Sequence, residues 1–525
     1  MRRRSVLKNL LAVLVGLGLV VVLEIVLQLL GLGPSNQLFV ESHQGGEVVY
    51  VVNQQVGHRF FQHQYLRSVP SNSSFPRQKP PDTVRIFVLG ASTLLGFPNP
   101  EYTSFPHFLE DMLADVYEEK CFEVINCGMT AINTFCLLDF MREIVAYDPD
   151  LVLIYAGHNE FIGPYGVTTP FLRFGNERNW IRLYMQLQRT RIYYFLKEAL
   201  YRLQNWWTPV EEGFGLHLAN KEIGLLDEAY QTTVENYRAN LEEMLAIARR
   251  HQVPVLLSTL VSNLKDFYPL RSNCDDGGLF RELAILAHQG RLQQAVQVCE
   301  ERLNEEPYCA NIHFELGRLH YRQGTYRRAR QDFVYARDMD RLPFRAPTVF
   351  NQIIRNLAGS AEGPLLFSDS EKIFTQASPH GIIGNELITE YLHPTVYGHY
   401  LIALNMVKEL AQNPVGWGKV DSGRMKDYED YARQLGYSLM DRISHRNDLM
   451  LFLRKMPYRK PPAVLRQHVA ALMREQLKHI PRLKTEERRQ FKERGGMVFL
   501  SRMLDFLLPE DRKVLESELE RLLVY

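Results

Sequence analysis

Short apolar runs that close on glycine recur along the first half of the chain. Val84–Gly90 (VRIFVLG), Phe122–Gly128 (FEVINCG) and Leu151–Gly157 (LVLIYAG) are rich in β-branched or bulky residues, as is Val253–Thr259 (VPVLLST); Pro364–Ser370 (PLLFSDS) is a weaker fifth. Runs with no polar face belong to strands covered on both sides. Between them Ser104–Tyr117, Ile132–Ala146 and Ala229–Arg250 read as helices. This alternation predicts a flavodoxin-like, three-layer α/β fold: a parallel sheet of about five strands with helices on both faces. In such sheets the site lies at the carboxyl ends of the strands.

The pattern changes twice. From Leu279 to Asp340 two helical hairpins repeat with a 34-residue period: Gly290, Ala295 and Pro307 in the first match Gly324, Ala329 and Arg341 in the second, and Leu316-Gly317, Phe333 and Ala336 complete the second unit. The small and bulky positions that let antiparallel helices pack make this unit similar to the tetratricopeptide repeat, with Cys299 where an aromatic residue is usual. Two repeats are too few for a free solenoid, so they are expected to pack on their neighbours. Past Asn413 the chain is helical, and Leu465, Val469, Leu472, Met473, Leu477 and Ile480 share one face of a basic helix, read as an inner packed face under a solvated outer one. The expected organisation is an anchor over 1–33, a linker or surface wrap over 34–81, an α/β domain in two parts over 82–272 and 343–412, a helical insertion over 273–342, and a helical region over 413–525.

The anchor is the apolar run from Leu10 to about Leu32, preceded by Arg2, Arg3, Arg4 and Lys8 and interrupted near its far end by Glu24 and Gln28. Its length suits a single membrane crossing, and the basic flank predicts a cytosolic N-terminus with the bulk of the chain on the extracytoplasmic side, facing the periplasm from the inner membrane. A cleaved signal peptide is the rival reading, but no A-x-A-like site follows Leu23. Elsewhere the 525-residue chain is ordinary: 46% hydrophobic, 23% charged, with 61 Lys+Arg against 60 Asp+Glu. That balance gives no global field for nucleic acid, so none is expected as a partner. The spacing of the six cysteines fixes no pairing and makes no C-x-x-C motif; Cys121, Cys127 and Cys136 read as small buried residues.

Each strand end delivers a polar group. Gly90-Ala91-Ser92 puts a hydroxyl on a turn into a helix, Gly128 offers a backbone N–H that a ligand can approach, Asn159 offers an amide, and Glu390 stands three residues before His393. Singly these are ordinary cap, turn and loop residues; together they are the parts needed for acyl transfer. No histidine pair has metal-ligand spacing with an acid at a strand end, and GASTLLG lacks the lysine of a phosphate loop, so neither metal nor cofactor is implied.

In order and placement, Gly-x-Ser, Gly, Gly-x-Asn and acid-x-x-His resemble the four blocks of the SGNH, or GDSL-type, serine hydrolase superfamily. The likeness covers about Val84–Leu270 and Pro343–Ala411, and with the anchor and helical repeats it resembles bacterial membrane-tethered members. The resemblance implies that Ser92 is the nucleophile, His393 the base and Glu390 its orienting acid. It implies an oxyanion hole of the Ser92 and Gly128 N–H groups and the Asn159 amide, supported by Gly90, Gly157 and Glu160. Three residues depart from the family pattern: Ala91 for a frequent Asp, Glu390 for Asp, and Glu160, read as pairing within its own loop. His158 and His399 are bases by residue type only and read as structural.

The expected activity is ester hydrolysis on O-acyl groups of an envelope glycan or lipid. O-acyl transfer to a sugar hydroxyl would use the same acyl-enzyme, and a scaffold binding a protein partner through the helical repeats is the reading from another class. Substrate walls are expected in Thr168–Gly213 and Leu260–Arg271, where Tyr165, Phe171, Trp180 and Tyr184 suggest an apolar wall or simple packing and Asn263 and Asp266 a polar contact.

Overall fold

The computed structural model describes residues 2–61, 69–168, 177–207, 221–274, 278–360, 365–413, 416–456 and 463–524. Helix α1 (Arg2–Leu29) meets Arg191 through Glu24, and most side chains of its apolar stretch Asn9–Leu29 are exposed. It is long and apolar enough to cross a membrane.

The stretch expected to be a linker or surface wrap carries an antiparallel sheet of β1 (Phe39–Gln44), β2 (Glu47–Val52) and β3 (Ser74–Pro76). The reason lies in EVVYVV, whose apolar residues face a ready-made partner. Phe39 and Phe75 meet at 5.0 Å and both contact Phe87 of the main sheet, at 5.9 and 5.5 Å. Flanking proline and serine residues hide that strand from a composition-based reading.

The main sheet contains β4 (Thr83–Gly90), β5 (Cys121–Asn126), β6 (Leu151–Tyr155), β7 (Val255–Ser258) and β8 (Leu365–Ser368), all parallel, in the order β5-β4-β6-β7-β8. Gly90 pairs with Tyr155, so β4 and β6 end at one rim. In chain order the helices of this part are α2 (Phe105–Val116), α3 (Thr134–Ile144), α4 (Arg178–Gln188), α5 (Arg191–Trp207) and α6 (Glu228–Arg250). The apolar side of α2 packs on β5, while α3 packs on β4 and against α6, giving the helical layers that all-apolar strands require. Cys127 and Cys136 are buried as expected, but Cys121 is exposed because it opens the edge strand β5.

Four helices fill the insertion: α7 (Leu279–His288), α8 (Leu292–Glu305), α9 (Ala310–Arg322) and α10 (Tyr326–Asp338). Gly317 lets α9 approach α10 closely, since a Cβ there would stand 2.8 Å from the Phe333 ring. The second hairpin buries Phe314, Phe333 and Ala336 against Leu264 and Ile382 of the α/β part. Buried Asp340 accepts the N–H groups of Leu270 and Arg271 at 2.8 and 3.0 Å, so the chain leaves and re-enters the α/β part at one point. Cys274 and Cys309 are joined in a disulfide that fastens the start of the insertion to α9.

The chain then adds α11 (Thr348–Ser360), α12 (Ser370–Ala377) and α13 (Val396–Gln412) to the α/β part, followed by α14 (Tyr428–Gln434), α15 (Leu439–Arg454), α16 (Ala463–His479), α17 (Thr485–Glu493), α18 (Gly496–Met503) and α19 (Pro509–Val524). On α16, Leu465, Val469, Met473 and Leu477 are buried and Leu472 is partly so. The terminal helices are no separate body. One continuous core runs from Leu38 through the sheet to Leu519.

Charge is buried where the N-terminal segment meets α3. Arg59, 1% exposed, pairs with Asp139, 2% exposed, and with Glu143 at 2.7 Å, and Arg189 reaches Asp139 at 2.6 Å. Removing a buried partner strands the opposite charge. Arg59→Met is therefore expected to lower unfolding free energy by about 3 kcal/mol. Urea titration in detergent measures this, with a loss below about 1 kcal/mol as the contrary result.

Candidate active site

Gly90 ends β4 against β6, where a Cβ would collide with Leu94 and come within 2.6 Å of the Tyr155 carbonyl oxygen. The chain therefore turns at once into the 3-10 turn Ser92–Leu95. The first N–H groups of such a turn have no partner within it and remain able to receive an oxyanion. Ser92 is partly buried, and its Oγ lies 2.7 Å from His393 Nε2.

His393 comes from the loop between α12 and α13. Its carbonyl accepts both the N–H (2.8 Å) and the hydroxyl (2.9 Å) of Thr389, and Thr395 caps α13 by accepting Gly398 N–H. His393 Nδ1 bonds to Glu390 Oε1, which assigns the ring proton to Nδ1 and leaves Nε2 to accept from Ser92. Glu390 is fully buried and also accepts backbone N–H groups of Tyr391, Leu392 (3.2 Å) and His393 (2.8 Å). The arm longer than Asp is thus curled back over its own loop.

At the third strand end Gly157 has φ +148°, a conformation that favours glycine, and a Cβ there would stand 3.1 Å from Tyr237 Oη. Asn159 donates through Nδ2 to Ile132 O at 3.0 Å, which sets the plane of its amide. Glu160 does not pair within its own loop, as the sequence suggests, but across to α3. It accepts Thr134 N–H at 3.0 Å and Thr134 Oγ1–H at 2.6 Å, because the first turn of α3 presents free donors there.

The Gly128 amide departs from expectation. Its N–H donates to Asn126 Oδ1 at 2.8 Å, so a substrate oxygen would have to replace that bond. Asn126 was passed over as the tail of an apolar run. It also donates to Leu94 O at 2.8 Å, tying the end of β5 to the turn that carries Ser92. The other residue invisible in the sequence is Phe452 of α15. Phe97 lies 4.9 Å from the His393 ring, and Phe452 lies 5.2 Å from Phe97 and 6.4 Å from His393, so a terminal helix helps to roof the imidazole.

The remaining expected residues fall elsewhere. His158 accepts the Ala346 N–H at 3.1 Å, and His399 stacks on Phe105; burial, and then the charge of His393, pushes both down to about 3. Neither is available as the base. Asn263 and Asp266 brace the turn before the His393 loop through Asn385, at 2.9 and 2.7 Å. Thr168–Gly213 is expected to be loop but includes α4 and α5. Tyr165 bonds Gln188 at 2.7 Å, Tyr184 bonds Tyr193 at 2.7 Å, Trp180 is exposed, and Phe171 lies outside the described residues.

A hydroxyl bonded to an imidazole that is itself bonded to a buried carboxylate is arranged for proton transfer during acyl chemistry. With its 2-1-3-4-5 strand order the chain has a flavodoxin-like parallel α/β fold, and Ser92, His393 and Glu390 meet at one rim of its sheet. No family model matches the chain, and no curated protein matches it. Among solved structures it is similar to Axe2, an acetylxylan esterase from Geobacillus stearothermophilus, at 14% identity over 65% of this chain and 99% of that one (TM-score 0.28). It is also similar to a GDSL-like lipase from Bacteroides thetaiotaomicron, at 10% identity over 65% and 93% (TM-score 0.31). These overlaps are shallow.

Burial pushes the Glu160 carboxyl up from 4.5 to about 7. A carboxyl raised on folding stabilises below its unfolded value, and the contribution is lost as pH rises through the folded one. Glu160→Gln is expected to flatten the fall in melting temperature between about pH 5 and pH 8. An unchanged slope would contradict this.

Proposed function

We propose that this protein is a membrane-anchored serine esterase that hydrolyses O-acyl esters on the extracytoplasmic side. The observation that carries the proposal is the unbroken chain of hydrogen bonds from Ser92 Oγ through His393 to Glu390 at the carboxyl rim of the sheet. Ser92 Oγ attacks the ester carbonyl and passes its proton to His393 Nε2. The alcohol leaves with that proton, and water, deprotonated by His393, releases the acid from the acyl-enzyme. Glu390 stabilises the imidazolium. The Ser92 N–H and the Asn159 amide receive the oxyanion, joined by Gly128 when its N–H exchanges Asn126 for substrate.

The exposed apolar face of α1 behind its basic flank supports the anchorage and its orientation. The Cys274–Cys309 disulfide independently supports an oxidising compartment. O-acyl transfer to a sugar hydroxyl is a second reading, favoured by the apolar rings of Phe97 and Phe452 beside the His393 imidazole. A labelled donor ester with a glycan acceptor separates the two.

Ser92→Ala is expected to abolish labelling by a fluorophosphonate probe and hydrolysis of p-nitrophenyl acetate. Asn159→Ala is expected to lower kcat about 100-fold or more with labelling retained. Probe labelling that persists in Ser92→Ala would overturn the proposal.

A further inference from the structure

Beside the His393 loop lies a cleft of about 380 Å³, roofed by the terminal helices. Its wall includes Asn99 beyond the Ser92 turn, Thr389 and Thr395 on either side of His393, and Arg442, Arg446 and His468 from α15 and α16. Its only carboxylate among the described residues, Glu386, is engaged by Lys265 at 2.8 and 3.0 Å. Arg442 lies over the Tyr437 ring at 5.1 Å, and Glu475, the carboxylate that acts on Arg446, is itself paired with Lys478 at 2.8 Å. The cleft is therefore cationic.

It also holds unmet donors. Asn99 Nδ2, Arg446 Nη1 and His468 Nε2 are buried without a hydrogen-bond partner among the described residues. The histidine is assigned by its neighbours: Asn385 Oδ1 accepts from Asn263, so Asn385 Nδ2 donates to His468 Nδ1 at 3.2 Å and the ring proton sits on Nε2. A buried donor left without an acceptor destabilises the fold until a ligand meets it. Residues carrying three unmet donors, one of them Arg446, together with the guanidinium of Arg442 line one space and call for a ligand that only accepts and carries negative charge.

We infer that this cleft binds an anionic group, a carboxylate or a phosphate, borne by the ester substrate. The inference rests on the esterase reading for the word substrate, and on the cleft alone for the anion. Both catalytic loops contribute to its wall, so an acidic unit held there places the neighbouring part of the molecule beside Ser92. Its volume is within the range of small-molecule sites, and the tyrosines on its wall suit the face of a sugar ring.

The test is calorimetric titration of the full-length protein in detergent with inorganic phosphate and, separately, glucuronate, at constant ionic strength. At least one is expected to bind saturably, with affinity lowered about 10- to 100-fold in Arg446→Gln and largely restored in Arg446→Lys. Arg442→Gln gives the same loss by an independent route should the Arg446 variant misfold. Binding of phosphate alone assigns a phosphorylated substrate and of glucuronate alone an acidic sugar; either supports the site. Lack of saturable binding by both, or wild-type affinity in both glutamine variants, overturns it. Ser92→Ala is expected to bind the anion normally, so a wild type that binds but turns over no ester would sink the esterase reading and leave the site standing.

A separate observation concerns α4 and α5. Beyond the apolar face each turns inward, they carry an outward stripe: Trp180, Leu183 and Leu187 are 52–62% exposed, and Leu196, Leu200 and Leu203 are 54–58% exposed. A helix on a water-facing surface does not keep such a stripe. The pair is fastened to α1, because Glu24 accepts the N–H groups of Arg191 and Ile192 at 2.8 and 3.0 Å at the start of α5. We infer that the outer face of this hairpin lies in the bilayer that α1 enters. In nanodiscs of brominated phosphatidylcholine, tryptophan fluorescence is expected to be strongly quenched relative to plain lipid. Replacing Trp180, Trp206 and Trp207 by Phe leaves buried Trp417, which is expected to escape quenching. Equal fluorescence in the two lipids overturns the inference, and a dimeric mass with it would assign the face to a second copy.

Discussion

The carboxylate of Glu390 is the point on which the site turns. It is fully buried, and an ionised group so placed is tolerable only when its oxygens are occupied. Three successive backbone N–H groups and the imidazole Nδ1–H occupy them. The same bonds that make the charge bearable wind residues 390–393 into one turn and fix the tautomer of His393. Loop shape, proton location and aim toward Ser92 thus share a single cause. The extra methylene relative to aspartate is absorbed in that winding.

Around this turn the sheet acts as a jig. Gly90 and Tyr155 are paired, so the Ser92 turn and the Asn159 loop leave the sheet side by side. Glu160 fastens the second of these loops to α3, and Asn126 fastens the end of β5 to the first. The terminal helices complete the enclosure by placing Phe452 near the imidazole, and they do so from the same core that fills the sheet. Insertion and extension differ in this respect. The insertion shares one small apolar cluster and a set of polar bonds from Asp338 and Asp340 with the α/β part, whereas the core of the extension is continuous with it.

The main sheet was legible because its strands are apolar on both faces, which needs no partner to be known: Leu151 opens β6 where the pattern says, and Gly90 closes β4. The nucleophile turn and the acid-x-x-His loop were legible because their chemistry is local in sequence. What escaped depends on neighbours distant along the chain. The EVVYVV strand makes sense only with Phe75 and Tyr147 against its Tyr50, the occupied Gly128 amide only with the side chain of Asn126 in view, and Phe452 only once α15 is folded over the site. Helices α4 and α5 were misread as loop because their apolar stripes face outward, contrary to the pattern of a water-facing helix.

The bond between Ser92 and His393 spans 301 positions of the chain. The polypeptide emerges amino end first, so the nucleophile is made long before its base, and the roof over that base follows later still. Until His393 is in place Ser92 is an ordinary hydroxyl with no imidazole to take its proton. Distance along the chain therefore serves as a timer. Reactivity is withheld until the repeats have folded back and the last helices have closed.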